Sequence, residues 1–141
     1  MDKAAFSFVN YYFKKAIISF PEENDDKFNL DIAFNPKGIF VTQENIYVLS
    51  LQVIITINDK NNNVNSEIVN VDCEAKYQFA NKLDLEEIPS YFYPNSIAIL
   101  FPYIRSFVST LTLQANVNPI VLPTMNLTNL QEELKKNTIA I

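Results

Sequence analysis

The sequence predicts an α+β fold: a four-stranded antiparallel sheet followed by two C-terminal helices packed on one of its faces. Apolar residues recur at period two along most of the chain up to Asn81, and the spacing becomes helical beyond it. Strands grouped ahead of helices, rather than interleaved with them, give an antiparallel sheet with the helices on one side. At 141 residues the chain suits a single domain over positions 1–141, large enough for a real core.

The segment Phe6 to Phe20 is dense in aromatic and β-branched residues and ends at Pro21, which favours a strand. Phe6, Phe8, Tyr12, Ile18 and Phe20 share one parity, and Val9, Tyr11, Phe13 and Ile17 share the other, so both faces read as apolar and each needs a cover. A polar connection, Glu22 to Lys27, follows. Phe28, Leu30, Ile32 and Phe34 then alternate with Asn29, Asp31, Ala33 and Asn35, a half-buried strand that Pro36-Lys37-Gly38 should terminate. From Ile46 to Ile57 the apolar positions Tyr47, Leu49, Leu51, Val53, Ile55 and Ile57 face inward. Beyond a turn at Asn58 to Asn63, the fourth strand places Val69, Val71, Cys73, Ala75, Tyr77 and Phe79 inward and Asn70, Asp72, Glu74, Lys76 and Gln78 outward, completing a long hairpin.

Ile97, Leu100, Ile104, Phe107 and Leu111 fall at helical spacing within a helix from Asn95 to Gln114. Pro102 should kink it or free a carbonyl, and Asn116 to Pro119 ends it. A second helix starts near Thr128, which with Gln131 makes a capping box, and Leu127, Leu130 and Leu134 form its apolar stripe. Lys135 and Lys136 suit its C-terminus. Four strands and two helices cannot cover this much apolar surface, with Phe101 and Val108 lying beside the main stripe, so another copy of the chain is expected to cover the rest.

Composition removes most catalytic chemistry. The chain has no histidine, the commonest general base and metal ligand, and one glycine, Gly38, too few for a phosphate-cradling loop. Net charge is −5 with the basic residues scattered, which argues against nucleic acid. No signal-peptide pattern opens the sequence and no run of about eighteen uninterrupted apolar residues occurs, so a cytoplasmic protein without membrane insertion is expected. The lone Cys73 agrees with a reducing compartment and reads as a small buried thiol. Acidic pairs at Glu22/Glu23, Asp25/Asp26, Glu86/Glu87 and Glu132/Glu133 read as solvated surface. No catalytic residue, metal site or cofactor is expected. Eleven Phe and seven Tyr leave two readings open, a Phe-rich core or an exposed binding surface. Tyr91-Phe92-Tyr93 is likewise either a ligand-stacking patch or a linker packed across the sheet.

The run Ile99-Leu100-Phe101-Pro102-Tyr103-Ile104-Arg105, then Ser109-Thr110-Leu111, then Pro119-Ile120-Val121-Leu122-Pro123-Thr124-Met125-Asn126-Leu127, resembles the signature of SecB chaperones. In that family a Leu-Phe-Pro-Tyr-x-Arg helix leads through a Pro-rich apolar loop to an Asn that opens the last helix. The resemblance is strong over 88–127 and looser over about 6–135. It implies a homotetramer, a dimer of dimers joined through the long helix around Phe101, Ile104, Val108 and Leu111. It also implies an ATP-independent holdase with an apolar groove for unfolded client polypeptides, lined by Phe28, Leu30, Phe34 and Phe40 with Val121, Leu122, Leu127 and Leu130 above. Family members that hand clients to the SecA motor in protein export carry acids near the end of the first strand, on the fourth strand and in the tail. Here Ala16, Ile17, Phe20 and Pro21 hold the first-strand positions and the tail is Asn137 to Ile141, leaving Asp72 and Glu74 as candidate partner-docking acids. The partner is then SecA or, for a SecB-like chaperone controlling a toxin–antitoxin pair, an antitoxin. A carrier enclosing a small hydrophobic ligand between sheet and helix is the alternative from a different class.

Overall fold

The computed structural model describes residues 5–21, 29–59, 64–124 and 126–141. Its elements run β1 (Phe6–Ile18), β2 (Asn29–Val41), β3 (Ile46–Asp59), β4 (Val64–Phe79), a 3-10 turn (Leu85–Glu87), α1 (Phe92–Gln114), α2 (Leu127–Lys136) and β5 (Thr138–Ala140). One sheet of order β1-β4-β3-β2-β5 contains all the strands; β5 lies parallel to β2 and the other pairs are antiparallel. The expected four-stranded antiparallel sheet is thus corrected to a five-stranded mixed one. Three residues are too few for β5 to display a period in the sequence.

The two apolar parities of β1 have a geometric cause. Register shifts between Phe8 and Asn10 and between Phe13 and Lys15 each insert one residue and switch the side chains to the other face. Phe6, Phe8, Tyr11, Phe13, Ala16 and Ile18 therefore oppose Phe79, Tyr77, Ala75, Cys73, Val71 and Val69, all on the helix side. The expectation that both faces need a cover is corrected: the bulges gather the aromatics on one face, leaving Tyr12 and Ile17 exposed on the other.

Pro36-Lys37-Gly38 does not end β2, which pairs with β3 from Asn29 to Val41. Gly38 N–H donates to the Asn137 carbonyl on the β5 side, so even-numbered residues of β2 turn their backbone groups away from β3. The N–H that Pro36 lacks would point outward, and no ladder bond to β3 is lost. Gly38 itself lies under Tyr47, where an added Cβ would overlap the Tyr47 hydroxyl and crowd Thr138.

α1 begins at Phe92, earlier than periodicity suggests, because Pro94 falls in the first turn where no N–H is needed. The stripe buried against the sheet is Ile97, Leu100, Ile104 and Val108, which corrects the expected one: Phe107 and Leu111 are only half-buried, and Val108, expected beside the stripe, belongs to it. The Tyr77 hydroxyl, under the helix, donates to Ser96 O at 2.6 Å. Pro102 is accommodated because it and Ala98, whose carbonyl loses its donor, are both exposed to water. The helix ends at Asn116, held at φ 61°, a left-handed conformation that asparagine tolerates. The chain then returns along α1, with Ser109 Oγ donating to Ile120 O at 3.0 Å and Ile120 N–H donating to Thr112 Oγ1 at 3.0 Å. α2 is capped by Asn126, whose side chain accepts from Thr128 N–H at 3.1 Å, correcting the expected cap at Thr128.

Gly38→Ala should lower stability by about 1–3 kcal/mol, since the buried Tyr47 ring cannot retreat without opening the core. Urea unfolding should show a lower midpoint at unchanged slope.

Candidate binding groove

β5 borders β2 only from Gly38 to Phe40. Among the described residues, the outward backbone groups of Leu30, Ile32 and Phe34 have no strand partner, so this half of β2 is an open sheet edge. By register the three side chains share the helix face, opposite Ile57, Ile55 and Val53. Leu30 is 47 % exposed, while Ile32 and Phe34 are half-buried. The Phe34 ring meets Phe101 of α1 edge-on at 6.0 Å between centroids. An unpaired backbone edge thus runs beside an apolar floor, a combination suited to an extended polypeptide.

Of the residues expected to line a groove, the structure brings Leu30 and Phe34 to this edge and leaves Leu127 half-buried on α2. Val121 projects from the loop beside α1, 64 % exposed. Phe40, Leu122 and Leu130 are corrected to core residues: Phe40 packs edge-on to Phe79, and Leu122 and Leu130 are covered within the helical layer. Phe28 lies outside the described residues. Ile32 is the member that sequence reasoning left out, although its parity with Leu30 and Phe34 was available. At the expected interface, Ile104 and Val108 have no exposed surface because they lie one turn apart on the stripe facing the sheet, so they are corrected to core; Phe101 and Leu111 stay half-buried. The exposed apolar surface of α1 centres instead on Tyr103 and Leu113. A depression of about 250 Å³ beside Tyr103 is lined by Tyr11, Phe13, Phe107, Ser106 and Thr110, with Tyr103 4.4 Å from the Tyr11 ring and Phe107 stacked on Phe13 at 3.9 Å. Tyr91-Phe92-Tyr93 resolves to packing, with Phe92 and Tyr93 buried.

Asp72 and Glu74 lie on the sheet face away from the helices and are already engaged. Tyr12 donates to Glu74 Oε2 at 2.6 Å, Lys14 Nζ lies 3.1 Å from Glu74 Oε1 and 3.8 Å from Asp72 Oδ2, and Ser50 Oγ donates to Asp72 Oδ1 at 3.2 Å. The Tyr12 hydrogen bond, helped by Lys14, holds the Glu74 carboxyl below the ordinary carboxylate range despite partial burial. The same contact with Glu74 raises both Tyr12 and Lys14. An amide chain from Asn35 through Gln52 and Asn70 to Glu67 continues this polar surface. Lys14 reaches the acids only because the second bulge of β1 places it there, and no sequence pattern announces that pairing. Cys73, between the two acids in sequence but on the opposite face, is buried, and burial pushes its thiol up to about 12. Among the described residues no three His, Cys, Asp or Glu side chains converge to hold a metal ion.

No family model matches the sequence. An uncharacterized protein of Methanocaldococcus jannaschii is 27 % identical over 143 residues, covering 96 % of this chain and 91 % of that protein. Among solved structures, the SecB-like chaperone of Mycobacterium tuberculosis, in complex with a ChAD peptide from the HigA1 antitoxin, superposes with a TM-score of 0.66 at 16 % identity. The match covers 86 % of this chain and 91 % of that one. A Streptococcus agalactiae protein of unknown function matches with a TM-score of 0.47 at 12 % identity, over 85 % of this chain and 98 % of that one. The chain therefore has a SecB-like fold, α+β with one mixed sheet and two helices.

Two outcomes follow from the geometry. Cys73 should resist alkylation by a thiol reagent at pH 8 in the native protein and react once urea unfolds it. Glu74 titrates lower in the folded than in the unfolded chain, so its stabilisation is complete above about pH 5 and is lost as pH falls below its ordinary value of about 4.3. Glu74→Gln should accordingly flatten the acid limb of stability against pH, measured by urea midpoints from pH 6 downward.

Proposed function

We propose that the protein is an ATP-independent holdase that binds unfolded polypeptides along the open edge of β2. The observation that carries this is that backbone groups of Leu30, Ile32 and Phe34, unpaired among the described residues, coincide with an apolar floor reaching Phe101. An extended segment laid there gains main-chain hydrogen bonds that do not depend on its sequence, and about 25 cal/mol for each Å² of apolar surface it buries. Broad client range follows from that division. The fold likeness to a chaperone solved with an antitoxin peptide supports a polypeptide ligand.

In this reading the chains assemble as a cytoplasmic homotetramer, a dimer of dimers, through the outer face of α1. That helix is long and apolar enough by composition to cross a membrane, yet only 33 % of its most apolar 18-residue window is buried within the chain. Its sheet-packed stripe makes it a core helix, and a second chain over Tyr103, Phe107 and Leu113 would cover the remainder. An antitoxin suits the partner role better than the SecA motor of protein export, because Lys14 and Tyr12 already occupy the acids that would meet a basic docking surface. Unfolded clients remain the ligand in either case.

Light scattering should give about four chain masses, and the same sample should suppress aggregation of a denatured, slowly folding protein near stoichiometric ratio. Leu30→Asp, at a site exposed enough to leave the fold intact, should weaken suppression about tenfold by placing a charge on the floor. A monomer that leaves aggregation unchanged would falsify the reading.

A further inference from the structure

The β2 edge that forms the groove is already occupied at one end by a segment of this chain. Asn137 O accepts from Gly38 N–H at 3.3 Å, Asn137 Nδ2 donates to Pro36 O at 3.2 Å, Ile141 N–H donates to Phe40 O at 2.9 Å, and Thr42 N–H donates to Ile141 O at 3.2 Å. Thr138 is the one side chain of β5 that docks: its Oγ1 donates to Leu134 O at 2.6 Å and so accepts, at 2.6 Å, from the Tyr47 hydroxyl. Ile139 and Ile141 are 58 % and 69 % exposed, so little apolar burial holds the strand down. Its hold is almost wholly main-chain bonding, the interaction any other strand on the same edge would offer.

Building on the groove reading above, we propose that β5 is a displaceable edge strand that decides the length of segment the groove accepts. A short segment fits the free stretch of β2 up to Lys37. A longer one meets the Asn137 side chain at Pro36 and must exchange with β5 to reach Gly38 and Phe40. The exchange is close to neutral in hydrogen bonds, because each bond β5 loses to β2 the newcomer makes. What opposes it is the Thr138 anchor and the single-residue link through Asn137 to α2, which keeps β5 at high local concentration.

The test uses two labelled peptides of alternating valine and serine, one of about seven residues and one matching the 13 residues of β2, with the intact chain and two variants. Ile139→Pro removes a donor that the parallel register assigns to β2 and disturbs little else at so exposed a position. Thr138→Val removes the anchor to Leu134 and, with it, the acceptor of the Tyr47 hydroxyl. Each variant should bind the long peptide about tenfold more tightly and the short peptide unchanged. In the unaltered chain, the Ile141 amide should exchange faster under saturating long peptide and keep its protection under the short one. An unchanged ratio of long to short affinity in both variants, with Ile141 protected throughout, overturns the competition while leaving the groove standing. Absence of binding by either peptide to any form overturns the groove reading and this proposal together.

Discussion

The rings of Phe6, Tyr47, Tyr77 and Phe79 close around Phe92 at centroid distances of 4.7 to 5.6 Å, mostly edge to face. These four residues come from three strands, so the first turn of α1 is seated over β1, β4 and β3 at once. The Tyr77–Ser96 hydrogen bond fixes the rotation of the helix one turn further on. With position and rotation set, Phe101 must point toward β2, where it meets Phe34, and Tyr103 and Phe107 toward β1, where they meet Tyr11 and Phe13. Burial raises the hydroxyl pKa of Tyr47 and Tyr77, so both phenols stay neutral donors in the core over the physiological range.

Everything proposed for the groove depends on that seating. A helix rotated by one residue would turn Phe101 away from β2 and leave the open edge without a floor. The edge in turn owes its length to Pro36: a proline at an even-numbered position keeps the ladder to β3 intact while removing one outward donor. β5 then closes the edge where the proline leaves off. The groove is bounded by backbone chemistry at one end and aromatic packing along its side.

The other sheet face follows a different rule. Its rows of Tyr12, Lys14, Asp72, Glu74, Ser50, Gln52 and Asn70 satisfy one another in a half-exposed layer, where each pair contributes little on its own. The acids Asp72 and Glu74 are thereby engaged within the layer. The apolar and polar faces of one sheet therefore differ in how much bonding capacity they leave for another molecule, and the helix side, with its open edge, leaves more.

By itself the sequence determined the α+β class, the inward parity of β3 and most of β4, the N-terminal part of the α1 stripe at Ile97 and Leu100, and the helix α2, because in each a period-two or period-3.6 pattern reports directly which side is buried. The helix-side parity of Leu30 and Phe34 was legible for the same reason. Only the tertiary structure decided the rest. Bulges in β1 convert two parities into one face, and a bulge leaves no mark in hydrophobicity. Whether Phe40, Leu122, Leu130, Ile104 and Val108 are surface or core depends on what lies over them, which periodicity along one element cannot say. The pairing of Lys14 with Glu74 spans sixty residues, and the docking of β5 on β2 joins chain segments about a hundred residues apart. Such contacts are fixed by closure of the whole sheet, so no local stretch of sequence contains them.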